Sequence, residues 1–172
     1  MDPISGLAGG SSLVQRVLDL VDRFSRKRTN AREAATKLKF ELPALAYPLG
    51  SRVVLNNKHF KVKMRNEANQ PMRDLIIAAV GRSGSGAPTA LEEVAPADMT
   101  FVTAARPGDG FVYVRVPWYV DSSTAPRGIE CVFRDVDGNQ FVRRVDGSTA
   151  FAPKRLLREL DRVAPPETRT WV

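Results

Sequence analysis

Histidine and cysteine are almost missing from this sequence: the 172-residue chain has one of each, His59 and Cys131, and only two tryptophans. A zinc site takes three or four ligands from Cys, His and carboxylates, usually rich in the first two, so none is expected. A disulfide takes a pair, and Cys131 alone fits a reducing compartment or a buried, indifferent thiol. Any histidine-dependent triad must run through His59, which is flanked by Lys58 and Lys61 and by no carboxylate or nucleophile that would orient it. No apolar run reaches the length that spans a bilayer as a helix. Residues 1–11 lack the basic start and apolar core of a secretory signal, so an intracellular life is expected. Aromatic residues make up only 8%. They cluster at 111–119, away from the lysines, whereas single-strand stacking platforms interleave the two kinds. No catalytic residue, metal or cofactor is expected.

What is present is apolar mass and lopsided charge. Hydrophobic residues make up 43%, enough for a real core, and the length fits one domain. The net charge is +7. Residues 1–80 hold 14 Lys+Arg against 7 Asp+Glu, while residues 81–172 hold 12 of each, so the whole excess lies in the first half. Arg26, Lys27, Arg28, Arg32, Lys37 and Lys39 form one run, and Lys58, Lys61, Lys63 and Arg65 form a second. Such asymmetry marks a surface that meets an anionic partner.

Leu13, Val14, Val17, Leu18, Leu20, Val21 and Phe24 recur at helical spacing, which predicts an amphipathic helix over 12–25 with a Ser12–Gln15 capping box. Its polar face carries Asp19 and Asp22, which anionic lipid would repel, so the stripe is expected to pack on its own domain or on a sister subunit. Leu13, Val17, Val21 and Phe24 are the expected subunit contacts. The basic segment follows, completing an N-terminal arm over residues 1–36 ahead of a β-rich body over 37–164.

Residues 37–42 alternate polar and apolar, as a half-buried strand does. Residues 52–55, a turn at Asn56-Asn57 and residues 59–64 predict a hairpin. On its second strand Phe60, Val62 and Met64 share one face, and Lys61, Lys63 and Arg65 share the other. Residues 72–80 stay open: Pro71 suits a helix start, and the apolar run suits a buried strand. Residues 81–97 form a Gly/Ser/Pro loop with room for one helical turn. Strands are expected over 99–104 and 111–120, the latter with Tyr113 and Arg115 opposite the valine face, and Pro117 marking an edge or bulge. A hairpin over 130–145 turns at Asp137-Gly138 in the primed conformation that this pair favours. A last helix starts at Pro153, carries Leu156, Leu157, Leu160 and Val163 as its stripe, and stops at Pro165-Pro166, leaving a tail over 165–172. The fold class is mainly β, an antiparallel sandwich or jelly-roll-like barrel of seven or eight strands with a helix at each end.

One motif invites a wrong reading. Gly81 and Gly86 have phosphate-loop spacing after an apolar run, but Ala87 and Pro88 stand where lysine and a magnesium-binding hydroxyl are needed. Nucleotide hydrolysis is therefore not expected.

His59 to Met64, followed by Asn69, Pro71, Arg73 and Ala78-Ala79-Val80, is similar to a stretch of vesiculovirus-type rhabdovirus matrix proteins, which runs as a Val-Lys-Met strand, an Asn-x-Pro turn and a helix ending in Ala-Ala-Val. The resemblance covers about residues 59–80. It implies a basic, non-enzymatic, self-associating protein that bridges nucleocapsid and membrane. The wider layout, a cationic N-terminal segment ahead of a β-rich body, resembles small viral coat proteins. The expectation is a viral coat protein, found in the virion and in host cytoplasm during assembly. It would form a homo-oligomer and package nucleic acid, RNA first, through nonspecific contacts of the two basic runs with phosphates. A matrix protein with a membrane partner is the second expectation, and a small β-barrel cellular adaptor or enzyme the third.

Overall fold

The computed structural model describes residues 8–42, 59–118 and 126–172, with the backbone alone for 8–12 and Phe60. The expected strand at 52–55, the Asn56-Asn57 turn, Lys58 and the end of the strand expected over 111–120 lie outside these residues. Among the described residues eight strands follow an N-terminal helix: α1 (Ala8–Thr36), β1 (Leu38–Glu41), β2 (His59–Asn66), β3 (Met72–Val80), β4 (Met99–Ala105), β5 (Val112–Pro117), β6 (Gly128–Arg134), β7 (Gln140–Arg143) and β8 (Thr149–Phe151). A second helix, α2 (Lys154–Val163), closes the list. All pairings between these strands are antiparallel, in two sheets ordered β1-β2-β5 and β4-β3-β6-β7-β8. The expected mainly-β class holds as a sandwich-like arrangement, and the barrel alternative does not, because the sheets do not close into one.

Residues 72–80 form a strand, not the helix that the matrix-protein resemblance implied, and the layers explain why their sequence left both readings open. β3 is the second strand of the five-stranded sheet, and both its faces are covered. Leu75, Ile77 and Ala79 face the three-stranded sheet, packing in one cluster with Val62, Met64, Val114 and Val116. Ile76, Ala78 and Val80 face the other way, in a second cluster with Leu156 and Leu160 of α2. A strand covered on both faces has no reason to alternate, so it reads as a continuous apolar run. β6 is buried in the same way and carries Cys131 at its centre. Burial pushes the Cys131 thiol up to about 12. No labelling by a thiol reagent is expected in the native state, with one equivalent per chain after denaturation; fast native labelling would contradict the packing.

Phe133, Phe141 and Phe151 stand opposite one another across β6, β7 and β8. Their ring centroids are 5.7 and 4.7 Å apart, contacts worth about 0.5–1.5 kcal/mol each beyond area burial. The turn between β6 and β7 differs from the expected primed form. Asp135 N–H donates to the Asn139 carbonyl at 2.9 Å, and of the loop residues between them only Gly138 has positive φ. A primed turn needs positive φ at both central residues, so this is a three-residue loop with glycine in the left-handed position. The Asp135 carboxylate adds two bonds from Asn139 at 2.8 Å each.

At the chain's end Val163 is exposed, while Leu156 and Leu160 carry the α2 packing. The expected tail is docked: Val172 N–H donates to the Phe101 carbonyl at 3.0 Å, and Trp171 meets Phe101 edge-on at 5.8 Å.

α1 departs most from expectation. It runs 29 residues, from Ala8, so Ser12 lies inside it rather than at its start, and Arg26 to Thr36 continue the helix rather than form a separate segment. Ala31 and Ala35 are buried against the sheets, their small side chains allowing close approach. Arg32 Nε donates to the Thr149 carbonyl at 3.3 Å, and the Arg28 guanidinium lies over the Phe151 ring at 5.8 Å. Residues 13–30 are exposed on every side of the helix.

Candidate nucleic-acid interface

The outer face of the three-stranded sheet follows from the alternation in β2. Val62 and Met64 point into the core, so Lys61, Lys63 and Arg65 must point out. Register then brings further side chains beside them. Lys39 of β1 stands opposite Arg65, and Glu41 opposite Lys63. On the other side, Tyr113 of β5 stands opposite Lys63, and Arg115 opposite Lys61. The two basic runs of the sequence therefore meet, since Lys39 ends the first and Arg65 ends the second.

Two carboxylates temper the charge. Lys63 Nζ lies 3.6 Å from Glu41, and Arg65 lies 3.7 Å from Glu67, all four side chains being substantially exposed. Exposed pairs of this kind are worth little and yield readily to a competing anion. Lys39, Lys61 and Arg115 have no ion pair among the described residues. At the Lys61–Arg115 end the face opens into a groove of about 630 Å³, lined also by His59, Thr100, Thr168 and Thr170 and by no Asp or Glu. His59 sits opposite Pro117 at that rim.

Aromatic side chains lie on the same face, which corrects the expectation of separated aromatics and cations. Tyr113 is 62% exposed and Phe111 is 42% exposed. Lys63 Nζ and the Arg65 guanidinium both lie 5.4 Å from the Phe111 ring centroid. Some 50 positions separate these residues in sequence, and only the β2–β5 pairing joins them. Pro117 does mark an edge, because β5 is an outer strand of its sheet.

The helical basic residues are differently placed. Arg26 and Lys27 project from the exposed part of α1, whereas Arg28 and Arg32 are engaged with β8. Lys37 occupies the turn between α1 and β1, its side chain exposed and its carbonyl accepting from Glu67 N–H at 3.0 Å. Lys58 lies outside the described residues. The expected subunit contacts Leu13, Val17, Val21 and Phe24 are between 50 and 67% exposed.

An ionic cluster of three side chains lies elsewhere, away from both basic runs. Arg144 holds Glu92 with two bonds of 2.7 and 3.0 Å and Glu130 with one of 2.7 Å, while Glu130 also accepts Leu91 N–H at 3.0 Å. It ties the Leu91–Glu93 3₁₀ turn to the five-stranded sheet, a structural task. Among the described residues no group of three or more His, Cys, Asp or Glu could hold a metal ion. No helix among the described residues is long and apolar enough to cross a membrane. Comparison of the chain with family profiles, curated proteins and solved structures found no match.

Proposed function

We propose that this is a non-enzymatic assembly protein that packages nucleic acid, a viral coat protein in which α1 joins subunits and the cationic sheet face meets the genome. The observation that carries the reading is the joining of Lys39, Lys61, Lys63, Arg65 and Arg115 on one outer face. Such a face suits a polyanion whose phosphates recur at regular spacing. Arg26 and Lys27 extend the charge along α1.

The exposed stripe of α1 supports self-association. In proteins most helical stability comes from packing an amphipathic face, so Leu13, Val14, Val17, Leu18, Leu20, Val21 and Phe24 call for cover. Along residues 13–24 the charges balance, Arg16 and Arg23 against Asp19 and Asp22. A balanced polar face gains nothing from an anionic membrane and suits a second copy of the same helix. A face of this many large apolar residues is of the order of the ~800 Å² per partner that standard interfaces bury.

Affinity for RNA measured against salt tests the genome contact. The log–log slope is expected between about −3 and −5, since each phosphate contact adds about −0.7 to −0.9. A flat slope would sink the proposal. Electron microscopy of protein mixed with RNA should show shells or filaments.

A matrix protein is the second reading, favoured by the apolar stripe running directly into Arg26-Lys27-Arg28. Co-sedimentation with anionic liposomes would select it; the coat reading expects the protein to stay in the supernatant.

A further inference from the structure

We infer that the outer face of the three-stranded sheet takes single-stranded nucleic acid, stacking bases on Tyr113 and Phe111 while the surrounding cations follow the backbone. The inference rests on the packaging proposal and deepens it, because cations alone would accept duplex and single strand alike.

The argument starts from Tyr113. A tyrosine on an edge strand ordinarily turns its ring against a neighbour, yet this one is 62% exposed. Its direct cross-strand neighbour is Lys63, and Lys61 and Arg115 follow along the same face. Phe111 comes two residues before Tyr113, beneath Lys63 and Arg65. Residues i and i+2 of an extended chain lie on one side of it, so the two rings form a short row beside β2. Side chains two apart along a strand are ~6.6–7 Å apart, a distance an unstacked single strand can match and a stacked duplex cannot. A duplex also hides its base faces, leaving the rings nothing to stack on. The charge is complementary, with five cations against Glu41 and Glu67, and the cations already over Phe111 can move to phosphate without leaving a buried charge behind. Stacking on aromatic rings tolerates any base, as a packaging surface requires.

The test separates stacking from charge through salt dependence. Oligouridylate and oligodeoxythymidylate of ~16 nucleotides, and a duplex of equal length, are titrated against the whole protein, Tyr113→Ala, Tyr113→Phe and Lys61→Ala. The parent should prefer either single strand to the duplex. Tyr113→Ala should weaken single-strand binding about tenfold at an unchanged salt slope, and Tyr113→Phe should keep the parent affinity. Lys61→Ala should instead reduce the slope by about 0.7. If the ribose and deoxyribose strands differ, the preferred one identifies the genome chemistry within the same mode. Single-strand binding indifferent to Tyr113→Ala would overturn the stacking inference and leave the packaging proposal standing. Absence of binding to any of the three would overturn both.

Discussion

With Val17 and Phe24 both changed to glutamate, the protein is expected to sediment as a monomer at concentrations where the parent is associated. Its near-UV circular dichroism should stay that of the parent. Both side chains lie on the exposed part of α1, so their replacement removes nothing from either core cluster. Burying a Val or Phe side chain is worth roughly 1.5–3 kcal/mol, and a symmetric helix pair would lose four such burials and gain four facing carboxylates. The dissociation constant should rise on the order of 10³-fold or more. Sedimentation velocity over a concentration series checks it. An unchanged oligomer would move self-association to another surface, and a parent that is monomeric throughout would remove the role proposed for α1.

The largest loss of stability is expected from Arg144→Ala. Glu130 is buried, its side chain only 7% exposed, and Arg144 is its one cationic partner among the described residues. Removing the guanidinium leaves a desolvated carboxylate with the Leu91 N–H alone, and breaking a buried pair in this way costs about 3–5 kcal/mol. Arg144 itself is partly exposed, so water can enter and the low end is expected. That corresponds to a fall in melting temperature of roughly 6–12 °C for a chain of this size. Glu130→Gln, which keeps an acceptor for Leu91, should lose less. The Arg144 hydrogen bond holds the Glu92 carboxyl below its ordinary value of 4.5. A carboxyl whose folded pKa lies below its unfolded one contributes fully above the unfolded value and loses that contribution as pH falls through the folded value. The stability gap between parent and Arg144→Ala should therefore narrow as pH drops below about 4.5. Thermal melts from pH 7 down to pH 3 check both parts; a gap that widens in acid would refute the linkage.

The sequence made the fold class and most strand positions readable, because alternation reports one-sided burial. Lys61-Val62-Lys63-Met64 shows which side of β2 is wet before any partner strand is known. β3 was ambiguous for the opposite reason, being covered on both faces. The second half of α1 escaped notice because its buried residues, Ala31 and Ala35, are small, and a stripe sought among Leu, Val and Phe ends at Phe24. The site was half legible. Its lysines could be listed, but their company could not: nothing local brings Tyr113 beside Lys63. The same distance hid Arg144 from Glu92, which are 52 residues apart.

The docking of α1 carries a consequence for how copies would be arranged. Val14, Val17, Val21, Phe24, Arg28, Ala31 and Ala35 follow one another at steps of three and four, a single seam along an unbroken helix. Its lower end is fixed to the sheets through Ala31 and Ala35, so the direction in which the upper end faces is fixed as well. In the proposed assembly, phase along the helix would thus set the angle between neighbouring bodies. Inserting one residue between Ser25 and Lys27 would turn the upper seam by about 100° relative to the sheets, altering no contact at either end. Inserting seven would restore the angle to within about 20° and lengthen the reach by roughly 10 Å. In the proposed assembly the helix would be a shaft whose length and pitch set the curvature.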